Sequence, residues 1–122
     1  MQKEVDIHIE EVASRSNIVM VRIRGPLDTV ASYAFHEKMN ALIKSGVYKF
    51  IMNLEELEYI SSAGIGVFPG MVMELQKNRG GIVFINVSPK IYKLFEMIGL
   101  TTIFGIKDSL EEAIKEFDSD EQ

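Results

Sequence analysis

With 122 residues the chain fits one domain built on one core. Its 47% apolar and 25% charged residues exclude a disordered or fibrous chain, and a formal charge of −5 disfavours nucleic acid and anionic membrane. The absence of cysteine rules out disulfides, thiolate zinc sites and cysteine nucleophiles.

At the start of the chain, Met1 to Asp6 carries acidic side chains where a secretory signal needs an apolar stretch. Nowhere do roughly 18 apolar residues run together, so a cytoplasmic location is expected. Val5, Ile7 and Ile9 alternate with Asp6, His8 and Glu10, the period of a half-buried strand. Ser14 to Asn17 reads as a turn. Ile18 to Arg24 is a β-branched run that predicts a second strand, antiparallel to the first and ended by Gly25-Pro26.

From Thr29 the period becomes helical: Ala31, Phe35, Met39, Leu42 and Ile43 share a face, and Gly46 stops the helix. Phe50-Ile51-Met52 and Leu54 predict a central strand covered on both faces. Glu55 to Tyr59 is then expected to be a loop. Ser61 or Ser62 caps a helix reaching about Asn78, with Ile65, Phe68, Val72 and Leu75 as its stripe and Arg79-Gly80-Gly81 as its close. Pro69 removes one internal hydrogen bond, so a kink or an irregular turn is expected there.

Ile82 to Val87 predicts another strand, and Ser88-Pro89 is a cap followed by proline at the first helical position. Ile91, Leu94, Phe95 and Ile98 form the buried face of that helix, which Gly99 stops. Ile103 to Ile106 predicts a last short strand. Asp108 to Glu111 resembles a capping box, opening a helix buried through Leu110, Ala113, Ile114 and Phe117. The order β-β-α-β-α-β-α-β-α specifies an α/β domain with parallel crossovers over residues 1–117, with an acidic tail at 118–122 expected to fray.

Candidate chemistry is sparse. His8 and His36 stand on polar faces with no nucleophile at any motif spacing, and both read as surface groups. Glu55, Glu56 and Glu58 crowd one loop but lack the alternating oxygen ligands and turn glycine of a calcium site. Gly64-Ile65-Gly66 opens a helix like a dinucleotide fingerprint, yet its third glycine is replaced by Pro69. No catalytic residue, metal or cofactor is therefore assigned, and basic residues are too scattered for a nucleic-acid surface.

What remains is Ser61-Ser62 at a helix start, where a phosphate would meet unpaired N–H groups and the positive end of the helix dipole. The same helix carries more apolar residues than one face can hide, namely Val67, Met71 and Met73 beside its stripe. Either neighbouring helices cover them or they form an exposed partner patch.

Several segments together resemble a known family. They are Gly25-Pro26-Leu27-Asp28 after the second strand, Leu54 to Gly66 (LEELEYISSAGIG), Gly80-Gly81 before a strand, Ile98-Gly99-Leu100, and Ser109 to Ala113 (SLEEA). These resemble the STAS domains, and among them most closely the bacterial anti-sigma factor antagonists, over nearly the whole chain. The resemblance implies a mixed sheet of four core strands plus an N-terminal strand, with four helices mainly on one side. It implies a regulator rather than an enzyme: when unphosphorylated it binds an anti-sigma factor that is also a serine kinase, phosphorylation releases it, and a serine phosphatase resets it.

By position the resemblance assigns the phosphoacceptor to Ser62. Ser61 stands where the family has aspartate, Ala63 follows, and Asp28 matches an acidic residue near the acceptor. Partner-binding residues are expected at Asp28, Ser61, Ala63, Gly64, Ile65, Gly66, Val67 and Met71, in a monomer or weak homodimer that binds neither nucleic acid nor membrane. The departure at Ser61 motivates an alternative, a scaffold or ligand-sensing STAS module not controlled by phosphorylation.

Overall fold

The computed structural model describes residues 4–12 and 15–120. Among these described residues, six strands and four α-helices follow one another as β1 (Asp6–Val12), β2 (Arg15–Leu27), α1 (Thr29–Lys44), β3 (Lys49–Asn53), β4 (Leu57–Ile60), α2 (Ser62–Lys77), β5 (Gly81–Ile85), α3 (Pro89–Met97), β6 (Gly105–Lys107) and α4 (Leu110–Asp120). A 3₁₀ turn, Leu100–Thr102, precedes β6.

The sheet runs β1-β2-β3-β5-β6, antiparallel only between β1 and β2, while β4 pairs with the far end of β2. Parallel register aligns Val21, Met52, Phe84 and Ile106 across four strands, and Ile9 continues the row on β1. Because side chains alternate along each strand, this row faces one way, into the core closed by α1, α2 and α3. Met20, Ile51 and Val83 face the opposite way and are covered by Ala113 and Phe117 of α4. Three helices therefore lie on one side and one on the other, in keeping with the expected placement mainly on one side.

Phe84 is the hub of the larger core. Its ring meets those of Phe68, Phe95 and Phe104 edge to face, with centroids 4.9, 5.2 and 5.5 Å away, and Phe68 in turn meets Phe35 at 5.7 Å. Edge-to-face contact sets the electropositive rim of one ring against the π-face of the next. The chain of rings fastens α1, α2, α3 and the segment after the 3₁₀ turn to the middle of the sheet.

Several boundaries differ from the sequence reading. Leu57–Ile60, of which Leu57 to Tyr59 are expected within a loop, forms β4 because β2 does not stop at Gly25-Pro26. A φ of 90° at Gly25 carries the strand through a register shift, so that Pro26 and Leu27 pair with Tyr59 and Ile60. At its other end β2 begins at Arg15, within the expected turn; Ser14 lies outside the described residues. The last strand starts at Gly105, since Leu100–Thr102 coils first and leaves Ile103 exposed. Finally α4 continues to Asp120, into the stretch expected to fray, with Asp118 ion-paired to Arg15; residues 121–122 lie outside the described chain.

Pro69 neither breaks α2 nor makes an irregular turn, for the helix runs unbroken from Ser62 to Lys77. The ring is exposed, so the Ile65 carbonyl left without a donor lies on the side that water reaches. At the other end of α2 the left-handed position is held by Arg79, with φ 59°, rather than by a glycine. Gly80 answers a different demand: a Cβ there would overlap the Tyr48 carbonyl.

Candidate functional site

The parallel pairing of β2 with β4 brings the starts of two helices together. Each strand leads through a capping residue straight into a helix, β2 through Asp28 into α1 and β4 through Ser61 into α2. Asp28 Oδ1 accepts the Ala31 N–H at 2.8 Å, and Ser61 Oγ accepts the Gly64 N–H at 3.0 Å. Ser61 N–H donates to the Leu27 carbonyl at 2.9 Å, so the two caps are fastened to each other. A Cβ on Gly64 would stand 3.0 Å from that same carbonyl, which is why a glycine allows the helices this close.

The two serines have different environments. Ser61 is 6% exposed and its hydroxyl is committed to the cap, whereas Ser62, the first helical residue, is exposed. Ile65 N–H bonds back to the Ser61 carbonyl at 2.9 Å, leaving the N–H groups of Ser62 and Ala63 without an intrahelical acceptor. Two adjacent helix N-termini therefore add their partial positive charge beside the Ser62 hydroxyl.

Beyond Ser62 the outer face of α2 is small and uncharged: Ala63, Gly66, Pro69, Gly70 and Met73 are all exposed. A Cβ added at Gly66 or Gly70 would meet nothing within 4 Å. Between α1 and α2 lies a shallow groove of about 270 Å³, lined by Ser32, Tyr33 and His36 on one side and by Ala63, Gly66, Val67 and Gly70 on the other. Tyr33 at 68% and Val30 at 79% exposed add apolar surface along α1.

Of the partner-binding residues expected from the sequence, Asp28, Ala63 and Gly66 are surface residues beside Ser62. Ile65 is half-buried, and Ser61 and Gly64 are buried parts of the helix start. Val67 is 7% exposed and only floors the groove. Met71, at 2% exposed, belongs to the core and offers no surface, a correction to the expectation. Adjacent helices cover Val67 and Met71, and of the surplus apolar residues only Met73 stands out in solvent. Tyr33, Val30 and Gly70 were missed; the signal was present, since Val30 and Tyr33 fall outside the Phe35–Met39–Ile43 stripe of α1.

The other candidates are dispersed. His36 Nε2 lies 3.2 Å from Asn40 Nδ2 on exposed α1, and His8 Nε2 lies 3.8 Å from Glu10. Glu56 pairs with Arg24. Among the described residues no three His, Asp or Glu side chains converge as a metal site, and no helix is long and apolar enough to cross a membrane.

Comparison with known proteins bears on the family and the fold. The anti-sigma-B factor antagonist of Bacillus subtilis is 29% identical over 105 residues, covering 86% of this chain and 95% of that protein. The anti-sigma factor antagonist SpoIIAA in its unphosphorylated form superposes with a TM-score of 0.73 at 28% identity, covering 91% of this chain and 96% of SpoIIAA. The Bacillus SpoIIAA structure in the phosphorylated form gives 0.71 at 29% identity, covering 91% and 98%. The family model of the STAS domain matches residues 11–113, from β1 into α4, and the chain belongs to the STAS domain family.

Proposed function

We propose that this protein is an anti-sigma factor antagonist that works by partner switching, with Ser62 as its phosphoacceptor. The observation that carries the reading is the contrast between the exposed Ser62 hydroxyl and the buried, cap-committed hydroxyl of Ser61. Relatives named as anti-sigma factor antagonists, one of them solved both with and without phosphate, support it.

In the unphosphorylated state the small, uncharged face of α2 and the groove toward Tyr33 receive an anti-sigma factor that is also a serine kinase. Close packing there needs no side chain to move aside, since Ala63, Gly66 and Gly70 project almost nothing. The kinase supplies the catalytic base and nucleotide; this chain supplies only the nucleophile, Ser62 Oγ, which takes the γ-phosphoryl group as ADP leaves and its proton passes to the base. The product carries about −1.5 to −2 charges at pH 7. The free N–H groups of Ser62 and Ala63 and the two helix dipoles accommodate that charge in the free protein. Against an apposed partner it introduces bulk and a charge to be desolvated, and the complex separates. A serine phosphatase restores the starting state, and the protein acts in the cytoplasm as a monomer or weak homodimer.

The serine at position 61 replaces the family's aspartate without loss of the cap, because its hydroxyl accepts the Gly64 N–H. That replacement also favours a second reading, a STAS scaffold or ligand-sensing module insensitive to phosphorylation.

Incubation with ATP and the kinase encoded beside its gene, followed by intact mass, tests the first reading. A gain of one phosphate that Ser62→Ala abolishes is expected; no gain, or a gain that survives the substitution, removes Ser62 from the role. If Ser62→Asp binds partners as Ser62→Ala does, the second reading stands instead.

A further inference from the structure

At the opposite end of α2, about 21 Å along the helix from Ser62 at 1.5 Å per residue, a cavity of about 170 Å³ opens between α2, α4 and the β5–β6 edge. Val72, Gln76, Ile103 and Phe104 contribute to its walls, as does the backbone of Gly80, Gly81 and Gly105. Among the described residues the one charged side chain lining it is Glu116 of α4.

Glu116 Oε2 is shut off from solvent and has no hydrogen-bond donor. Its carboxylate lies against the backbone of Gly105, where any Cβ would overlap it. A carboxylate oxygen stripped of water and left unpaired costs free energy, which a bound donor recovers. Glycine at position 105 thus leaves room for the carboxylate itself at the cavity wall, and the unmet demand of that carboxylate is for a cationic donor.

We propose that this cavity is a binding site for small primary ammonium compounds, the ammonium group on the Glu116 carboxylate and a short apolar body against Val72, Ile103 and Phe104. A hard metal ion is the poorer fit, since it needs about six to eight oxygen ligands and the lining offers one carboxylate. The net charge of −5 favours the approach of cations. The site is independent of phosphorylation at Ser62 and of the partner surface.

Titration of the ¹⁵N-labelled protein with n-butylammonium chloride, at constant ionic strength, tests the proposal through the amide signals of Gly80, Gly81 and Gly105. Saturable shifts of these signals in the millimolar range are expected, with n-butanol at least about tenfold weaker, a factor worth 1.4 kcal/mol. Glu116→Gln should weaken the ammonium titration by a similar factor while leaving the amide spectrum folded. Shifts that do not saturate, equal response to butanol, or undiminished binding by the folded Glu116→Gln variant would each overturn it. Should that variant not fold, the comparison of ammonium with alcohol on the wild-type protein decides alone.

Discussion

The Ser61 N–H donates to the Leu27 carbonyl at 2.9 Å, and through that bond the start of one helix is held against the start of another. Leu27 immediately precedes the α1 cap and Ser61 is the α2 cap, so neither helix can slide without loosening the other. The surface around Ser62 is therefore set by strand pairing, β2 with β4, more than by the helices themselves.

The two neighbouring serines should separate by stability. Ser61→Ala removes the Gly64 cap and is expected to cost about 1 kcal/mol, whereas Ser62→Ala, at an exposed first-turn position, should stay within about 0.5 kcal/mol of wild type. Urea denaturation with unchanged m-values measures both. Equal losses would mean that Ser61 does not carry the cap.

Gly66 and Gly70 sit in a helix with open space beyond them, where glycine costs about 0.8–1.0 kcal/mol relative to alanine. Gly66→Ala should accordingly raise the denaturation midpoint. On the proposed function the same methyl group protrudes from the docking face, so affinity for the anti-sigma factor should fall even as stability rises. Calorimetry of both properties on one variant checks the trade-off.

Gly80 should behave in the opposite way. A methyl group there runs into the backbone carbonyl of Tyr48, which also accepts the Gly81 N–H at 2.9 Å. Gly80→Ala is expected to destabilise the protein by about 1–3 kcal/mol, the usual cost of overpacking. A melting curve equal to wild type would contradict the close approach of the α2–β5 turn to Tyr48.

Phe84 is fully buried and touches three other rings. Phe84→Ala should cost about 3–5 kcal/mol, a large part of the 5–15 kcal/mol that holds a domain of this kind together. Near-ultraviolet circular dichroism should show the loss of ordered aromatic packing at temperatures where the wild type is native.

Much of this was legible in the sequence because the signals were local. The Phe35–Met39–Ile43 spacing, the Ser88-Pro89 start and the Phe50–Met52 run each carry their own period or cap. What escaped were features fixed by distant partners. Leu57–Ile60 has too few residues and too many glutamates nearby to read as a strand, and it becomes one only because Gly25 lets β2 run on beside it. The proposed partner face divides the same way. Ser62 is marked by its place in a motif, but the burial of Met71 and the exposure of Tyr33 follow from how α1 lies against α2, which no spacing within α2 encodes.

The proline in α2 has a consequence for cooperativity. With no N–H at position 69, the Ile65 carbonyl contributes no rung to the helix ladder, so the turn containing Ser62 is coupled to the rest of α2 by one hydrogen bond fewer. Local opening of that turn then demands less than opening of the segment anchored by Leu75, and amide exchange should grade along α2 accordingly. On the proposed function, the stretch that meets the anti-sigma factor is thereby the one that can yield without unfolding the domain.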